Sequence, residues 1–422
     1  MSLAEKIAGE FSQQLAGSVS ALRKEAFRAF EQLGIPGTRH EEWKYTNIKT
    51  KLPESISLLP AAAGAAPDFH KFSGATGNKL VFINGNFSKE HSTLLPQAGV
   101  TICSLAEAFK THATLIENYY GKLVQFNEEH FAALNTAFAT DGAFIYLERN
   151  AVVDSPVYLI HVFNSAESFV QSRNLIVLET GSNLQVIEDF QNVGSEAYSN
   201  HVTEVYVGAN ANINISHLQT GTVNTTAVHT IEADIQRDGR FTCNTITLEG
   251  KLIRNNTNAR FKGENAEAHL NGLYFGKDSA VLDNHLLVDH QVPNCQSNQL
   301  YKGILDDEAT GVFNGKIFVK LDAQKTNAFQ SSKAILLSDN AAINTKPQLE
   351  IFADDVKCSH GAAIGQLGGD EVFYLRSRGI PEKEARAMLT YAFANDIIQA
   401  ITVEEVQTYL SALLQQRLNL TL

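Results

Sequence analysis

Apolar positions along the first 35 residues recur every three or four places. In "SLAEKIAGEFSQQL" the residues Leu3, Ile7, Phe11 and Leu15 share one helical face, and "VSALRKEAFRAFEQLG" repeats the pattern with Val19, Leu22, Phe27, Phe30 and Leu33 before a "GIPG" stop. "TRHEEWKYT" (38–46) follows and holds the single tryptophan, Trp43. "LLPAAAGAAPDFHKFSGATG" reads as a loop or linker, "NKLVFINGNFS" as a short strand with an Asn-Gly turn, and "SLAEAFKTHATLIENYYGKL" as helix again.

From about residue 140 the period changes from 3.6 to 2. "AFIYLE", "PVYLIHVF", "NLIVLE", "LQVIEDF", "VTEVYVG", "INISHLQT", "HTIEADIQ", "FTCNTITLEG", "NGLYFG", "HLLVDH", "KIFVKLD" and "AILLSD" alternate β-branched or aromatic with polar residues. A turn-then-strand phrase recurs at 181, 208, 238, 264, 307 and 339, at gaps of roughly 27 to 43, which predicts coils of unequal length rather than a strict array. So long a run of helix-free strand, rich in asparagine at its turns, favours a β-helix over a large open sandwich.

Near residue 366 the strands stop. Asp370 is expected to cap the helix in "GGDEVFYLRSRG", with Gly379 at its end, and Pro381 to open the next. That second helix carries an apolar stripe of Ala385, Met388, Leu389, Ala392, Phe393 and Ile397, and Thr402 with Glu405 has capping-box spacing for a third. The chain divides into an N-terminal helical region with a small α/β segment (1–139), a β core (140–366) and a C-terminal helical region (367–422).

The 422 residues are 44% hydrophobic and 19% charged, which describes a globular chain. Its formal net charge of −12 supplies no pull on phosphates, so no nucleic-acid partner is expected. With no apolar run of membrane-spanning length and no basic-then-apolar leader, no membrane is expected and the protein reads as soluble and cytoplasmic. Four scattered cysteines (103, 243, 295 and 358) make neither a disulfide framework nor a CxxC metal site.

Chemistry is most concentrated in "DDVKCSHGAAIG" (354–365). On a strand, Cys358 and His360 point to one face, roughly 6–7 Å apart along the backbone. Thiolate and imidazole are both iron ligands, but two do not close a site. Spacing alone favours the plainer reading of a buried cysteine and a hydrogen-bonded histidine. A Cys/His hydrolase lacks any recognisable elbow or oxyanion loop, and no P-loop is present. Phe373, Tyr374, Arg376, Arg378 and Ile380, around a Gly-Ile-Pro turn, have the composition of a protein-binding surface. A helical hairpin covering the open end of the β-stack fits them equally well. "RHEEWKYT" reads as a salt-bridged surface turn pinned by Trp43.

Taken together, "RHEEWKYT", "KPQLEIFADDVKCSHGAAIG" and "FYLRSRGIPEKEAR" resemble, in order along the whole chain, the SufB/SufD family of iron–sulfur cluster assembly proteins, nearest its SufD branch. The resemblance implies a mainly β fold, a right-handed parallel β-helix core flanked by N- and C-terminal helical regions. It implies a non-catalytic scaffold subunit of a SufBCD complex, partnered by a SufB-like paralogue and a SufC-like ABC ATPase that docks on the C-terminal helices. It makes His360 a ligand for a transient iron–sulfur cluster at the partner interface, with Cys358 beside it, and no cofactor in the isolated chain. That chain, with an open edge, can pair as a homodimer. The chain departs from SufB-like sequences in having Ala341 where they carry a cysteine, and "CSHG" where they carry a His-Glu pair. It is therefore not expected to hold a full cluster alone. No flavin motif is visible. The competing function is a β-helix enzyme acting on a carbohydrate or acyl substrate. A carboxylate- and base-lined groove on the side of the core would favour that enzyme, and a flat apolar edge near His360 the scaffold.

Overall fold

The computed structural model describes residues 3–14, 20–59 and 76–420. The expected linker lies almost wholly outside them, as do Leu15 and Val19. Two helices open the chain, α1 (Leu3–Gln14) and α2 (Ser20–Leu33), and Gly34 ends α2 at φ +65°. The hairpin β1 (Lys79–Ile83) and β2 (Asn86–Phe87) closes through Asn84 and Gly85, both at positive φ. β3 (Val100–Ser104) then leads into α3 (Leu105–Thr111), α4 (Ala113–Tyr119) and α5 (His130–Phe138).

From Ala143 the chain winds into coils of two strands each. They are β4 (Ala143–Leu147) and β5 (Val157–Phe163), β6 (Phe169–Leu178) and β7 (Asn183–Asn192), β8 (Ala197–Val207) and β9 (Asn212–Gly221), then β10 (Thr225–Ile235) and β11 (Arg240–Thr247). β12 (Leu252–Phe261) and β13 (Glu267–Gly276), β14 (Val281–His290) and β15 (Gln296–Leu305), β16 (Thr310–Val319) and β17 (Asn327–Leu336), and β18 (Ala342–Ile351) and β19 (Lys357–Gly365) complete them. Even-numbered strands stack with β3 in a nine-stranded sheet and odd-numbered strands with β1 and β2 in a ten-stranded one. Pairing is parallel except at β1–β2 and β3–β4. This is a parallel β-solenoid of about eight turns, and its pairing reaches back to β1 and β3, before residue 140.

The coils are more regular than the sequence phrases suggest. Asn212, Arg240, Glu267, Gln296, Asn327 and Lys357 form one column, with 27 to 31 residues between successive members. The longer gap to the phrase at 307 arises because that phrase sits on the opposite corner, before β16. One corner is a column of left-handed residues: Asn210, Asp238, Asn265, Asn294 and Lys325 have φ of 55–64°. Their N–H groups donate to the next coil, as from Asn210 to Arg237 O and from Asp238 to Glu264 O. Asparagine and aspartate tolerate this conformation, which is what the asparagine content supplies.

Inward residues of both sheets meet in one core, including Ile176, Ile213, Phe241, Phe261, Tyr274 and Phe313. Outward faces are covered by helices. α1, α2, α5 and Trp43 cover Phe169, Tyr198, Val202, Val228 and Leu252 of the nine-stranded sheet. On the opposite side, α7 (Glu382–Gln399) and α8 (Glu404–Arg417), which follow α6 (Gly369–Ser377), cover Ile160, Ile187, Leu218, Ile246, Leu273 and Ile304. The tail thus lies on the flank of the solenoid and does not close its end.

Helix details also differ from expectation. Gly368 is the N-cap of α6, so Asp370 falls in its first turn. Pro381 is the N-cap of α7 rather than its first residue. Thr402 does not cap α8, because its Oγ1 accepts from Asn214 Nδ2 at 3.2 Å. The buried face of α7 is Ala387, Thr390, Ala394, Ile397 and Ile398 with Ala385, while Ala392 is exposed.

Candidate functional site at the open end of the solenoid

β18 and β19 are the terminal strands of their sheets. On β17, Ala328, Gln330, Ser332 and Ala334 are buried and point inward. Their register partners on β19 are Cys358, His360, Ala362 and Ile364, so Cys358 and His360 do share a face, the inward one. No described coil lies beyond β19, and that inward face opens outward. His360, Ala362 and Ile364 are exposed, and Ile364 is 48% accessible.

Cys358 is half-buried and packs beside Ile317, Val319, Ala323, Ala328 and Ala353. Burial pushes its thiol pKa up, partly offset by a backbone contact at Ala328, so the chain alone keeps it protonated near neutral pH. The other three cysteines are buried; Cys103 and Cys243 are pushed up to about 12 and Cys295 to about 11, chiefly by burial. Behind His360 lies Gln330, whose Nε2 donates to Gln299 Oε1 at 2.6 Å.

The backbone at this end is also available. Lys357 N donates to Thr326 O at 2.8 Å, so by ladder alternation Cys358, His360, Ala362 and Ile364 direct their N–H groups away from β17. Pro347 sits mid-strand in β18, a position a sheet edge tolerates. Phe352 at 58%, Leu321 and Phe329 add exposed apolar surface to the same end of the solenoid. Ala341 is buried.

The tail residues form a separate surface. Phe373 is 71% and Tyr374 58% exposed on α6. Arg378 lies over the Tyr374 ring at 5.4 Å, and Arg376 pairs with Glu382 at 3.2 Å. Gly379, at φ +90°, turns the chain so that Ile380 N donates to Leu375 O, leaving Ile380 half-buried. The exposed side chains of α6 therefore stand at a fixed corner.

"RHEEWKYT" is a short 3-10 turn, with Trp43 buried under the Arg254 guanidinium at 3.9 Å. Glu42 accepts from Asn314 Nδ2 at 2.8 Å and faces His285 at 3.3 Å, which holds its pKa down. This turn borders a groove of about 460 Å³ on the solenoid flank, lined by Glu129, Glu232, Arg254, His285, Lys316 and Glu350 among others. It meets the description of an enzyme groove, but several of its charges are engaged in pairs. Glu232 meets Arg260 at 2.7 Å and Glu350 meets Lys316 at 2.8 Å.

Both halves of the chain match one family. Residues 161–393 match the model of the SUF system FeS cluster assembly SufBD core domain, and residues 2–159 that of the SufBD protein N-terminal region. The chain belongs to the SufBD family. It is 34% identical over 393 residues to an iron–sulfur cluster assembly SufBD family protein of Synechocystis, covering 89% of this chain and 86% of that protein. It is 29% identical to the iron–sulfur cluster assembly protein SufD of Escherichia coli over 91% of this chain and 90% of that one. With SufD of Bacillus subtilis the figures are 26%, 94% and 93%. Family membership gives the chain a role in iron–sulfur cluster assembly, and none of these relatives supports the carbohydrate or acyl enzyme. No helix among the described residues is long and apolar enough to cross a membrane.

Proposed function

We propose that this chain is a SufD-like, non-catalytic scaffold subunit whose open β18–β19 end pairs with a SufB-like paralogue, with His360 as a ligand to the cluster assembled between them. The observation that carries the reading is the exposed last coil: an inward column ending in Cys358 and His360, with free backbone N–H groups and apolar side chains beside it. A paralogue with the same fold would present a similar end, and the two solenoids could continue each other's sheets. Imidazole and thiol are suited to iron, and a partner cation or metal would lower the Cys358 pKa enough to make it a ligand. The cluster is cargo here, to be completed by ligands of the paralogue. Phe373, Tyr374, Arg376, Arg378 and Ile380 form the docking corner for a SufC-like ABC ATPase, which supplies ATP hydrolysis. In the absence of the paralogue the same edge pairs two copies of this chain.

Co-expression of the three subunits tests the assignment of surfaces. Ala362→Pro removes an N–H that faces away from β17, so it blocks edge pairing while sparing the internal ladder. It should lose the paralogue and keep the ATPase, whereas Phe373→Glu with Tyr374→Glu should do the reverse. Retention of the paralogue at wild-type stoichiometry by a folded Ala362→Pro chain would overturn the edge assignment.

A further inference from the structure

Deep in the solenoid, in its first four coils and four to seven coils from the open end, inward positions turn polar. His161 on β5, Glu188 on β7, His201 on β8, His217 on β9 and His229 on β10 are all buried, each no more than 2% exposed. Among the described residues the ion-pair partners of the Glu188 carboxylate are all imidazoles. Its Oε1 lies 2.8 Å from His201 Nε2 and 3.6 Å from His161 Nε2, and its Oε2 lies 2.6 Å from His217 Nδ1. The nearby buried carboxylate of Glu204, by contrast, has Arg173 at 2.8 Å. A buried charged carboxylate is paired with a cation or coordinates a metal, and here imidazoles take the place of Arg or Lys.

Two observations point to an ion between these groups. His161 Nε2 is buried with no hydrogen-bond partner among the described residues. Its ring is clamped between Phe82 and Phe190, with centroids at 5.1 and 4.7 Å and planes within 14° and 8°, so the stack fixes where that nitrogen points. His201 Nε2 has the opposite problem: besides Glu188 it meets Asn174 Nδ2 and Thr203 Oγ1, each at 3.1 Å. One imidazole nitrogen makes a single hydrogen bond, so these contacts are not all satisfied.

We propose that His161 Nε2, His201 Nε2 and Glu188 Oε1 bind one divalent first-row transition ion, zinc or iron(II), inside the solenoid. The three donor atoms lie within 4.8 Å of one another, and bonds of roughly 2.0–2.2 Å require only small side-chain shifts to bring them onto one ion. The surrounding groups orient the ligands. His201 Nδ1 is held by Ser172 Oγ at 2.6 Å, and Asn174 Nδ2 donates to Glu188 Oε1 at 2.6 Å while its own Oδ1 accepts from Ala143 N. His217, bonded to the second carboxylate oxygen, is braced by His229 Nδ1 at 2.9 Å. With nitrogen and oxygen donors and no thiolate, the set suits a single ion and not an iron–sulfur cluster. The site is therefore chemically distinct from the cluster ligand proposed at His360. Because it is closed on all sides, the ion enters as the chain folds, and it ties β5, β7 and β8 together across the two sheets.

The test is metal content of the full-length chain, produced in medium supplemented with zinc or with cobalt(II) as a spectroscopic probe, then purified through chelator. Wild type should retain one ion per chain, and the cobalt form should show the visible absorption of a low-coordinate N/O site. His161→Phe extends the aromatic stack of Phe82 and Phe190, so it should fold and lose metal at least about tenfold. Glu188→Gln should do likewise and serves if His161→Phe does not fold. Wild-type protein that retains no more zinc or cobalt than these variants would overturn the site and make the cluster a hydrogen-bond network only.

Discussion

The clasp between Arg173 and Glu204 joins the N-terminal helical layer to the solenoid, and Arg173→Met tests it. Both side chains are fully buried. The guanidinium Nε and Nη2 donate to Glu204 Oε2 at 3.0 and 2.8 Å, and Nη1 donates to Thr136 Oγ1 on α5 at 2.7 Å. The carboxylate also accepts from Gly121 N at 2.8 Å and Leu123 N at 2.9 Å, in the segment between α4 and α5. Removing one member of a buried pair costs about 3–5 kcal/mol because the other charge is stranded. Glu204 keeps its two backbone donors, which places the expected loss near the lower end, about 3 kcal/mol. Arg173→Met with Glu204→Gln removes the stranded charge and should recover about half of that loss. Guanidinium unfolding of wild type, both single variants and the double variant gives the coupling energy. Hydrogen exchange should rise first in α5, whose Thr136 loses its anchor. A loss under about 1 kcal/mol in Arg173→Met, or a double variant as damaged as the sum of the singles, would refute the argument.

Two further predictions concern the core. Burial disfavours the charged form of His290 and lowers its pKa from 6.5 to about 3, while the unfolded chain still binds the proton below about 6.5. The unfolded state therefore binds more protons between these values, and stability falls as pH drops from 6.5 towards 3, by about 2 kcal/mol from this residue at pH 5. His290→Gln should show a shallower fall in unfolding midpoint between pH 7 and 5, and an unchanged slope would contradict the assignment. At Gly272 an added Cβ would lie 2.1 Å from the Tyr301 ring, and Tyr301 is itself fully buried. Gly272→Ala should cost about 2–3 kcal/mol in denaturant unfolding, with no comparable effect at Gly361, where nothing lies within 4 Å.

Much of the solenoid is legible in the alternation of its strands, because half of each strand's side chains enter one core. β12 and β15 escape that reading. Outward on β12, Arg254, Asn256, Asn258 and Arg260 face the flank groove or its ion pairs, and the inward Asn255 and Thr257 are also polar. On β15, Gln299 and Gly303 occupy inward positions. α5 shows no helical stripe because all nine of its residues are buried. The face of α7 is read only in part: Ala385 and Ile397 of the expected stripe are buried, but Ala387, Thr390 and Ala394, small residues with little apolar signal, complete it with Ile398, while Ala392 is exposed. The common face of Cys358 and His360 follows from their spacing, but its exposure comes from the absence of a described coil beyond β19. The interior histidines carry no local motif, since residues from five strands meet only when the two sheets close.

The central claim is that His360 serves a cluster shared with a partner. Its most direct test is iron and acid-labile sulfide in the co-expressed complex, purified without oxygen, comparing wild type with His360→Ala at equal complex yield. The account predicts an intact complex that has lost its cluster. An intact complex with unchanged iron and sulfide would contradict it, making His360 structural and shifting this subunit's proposed contribution to the surface of the helical tail.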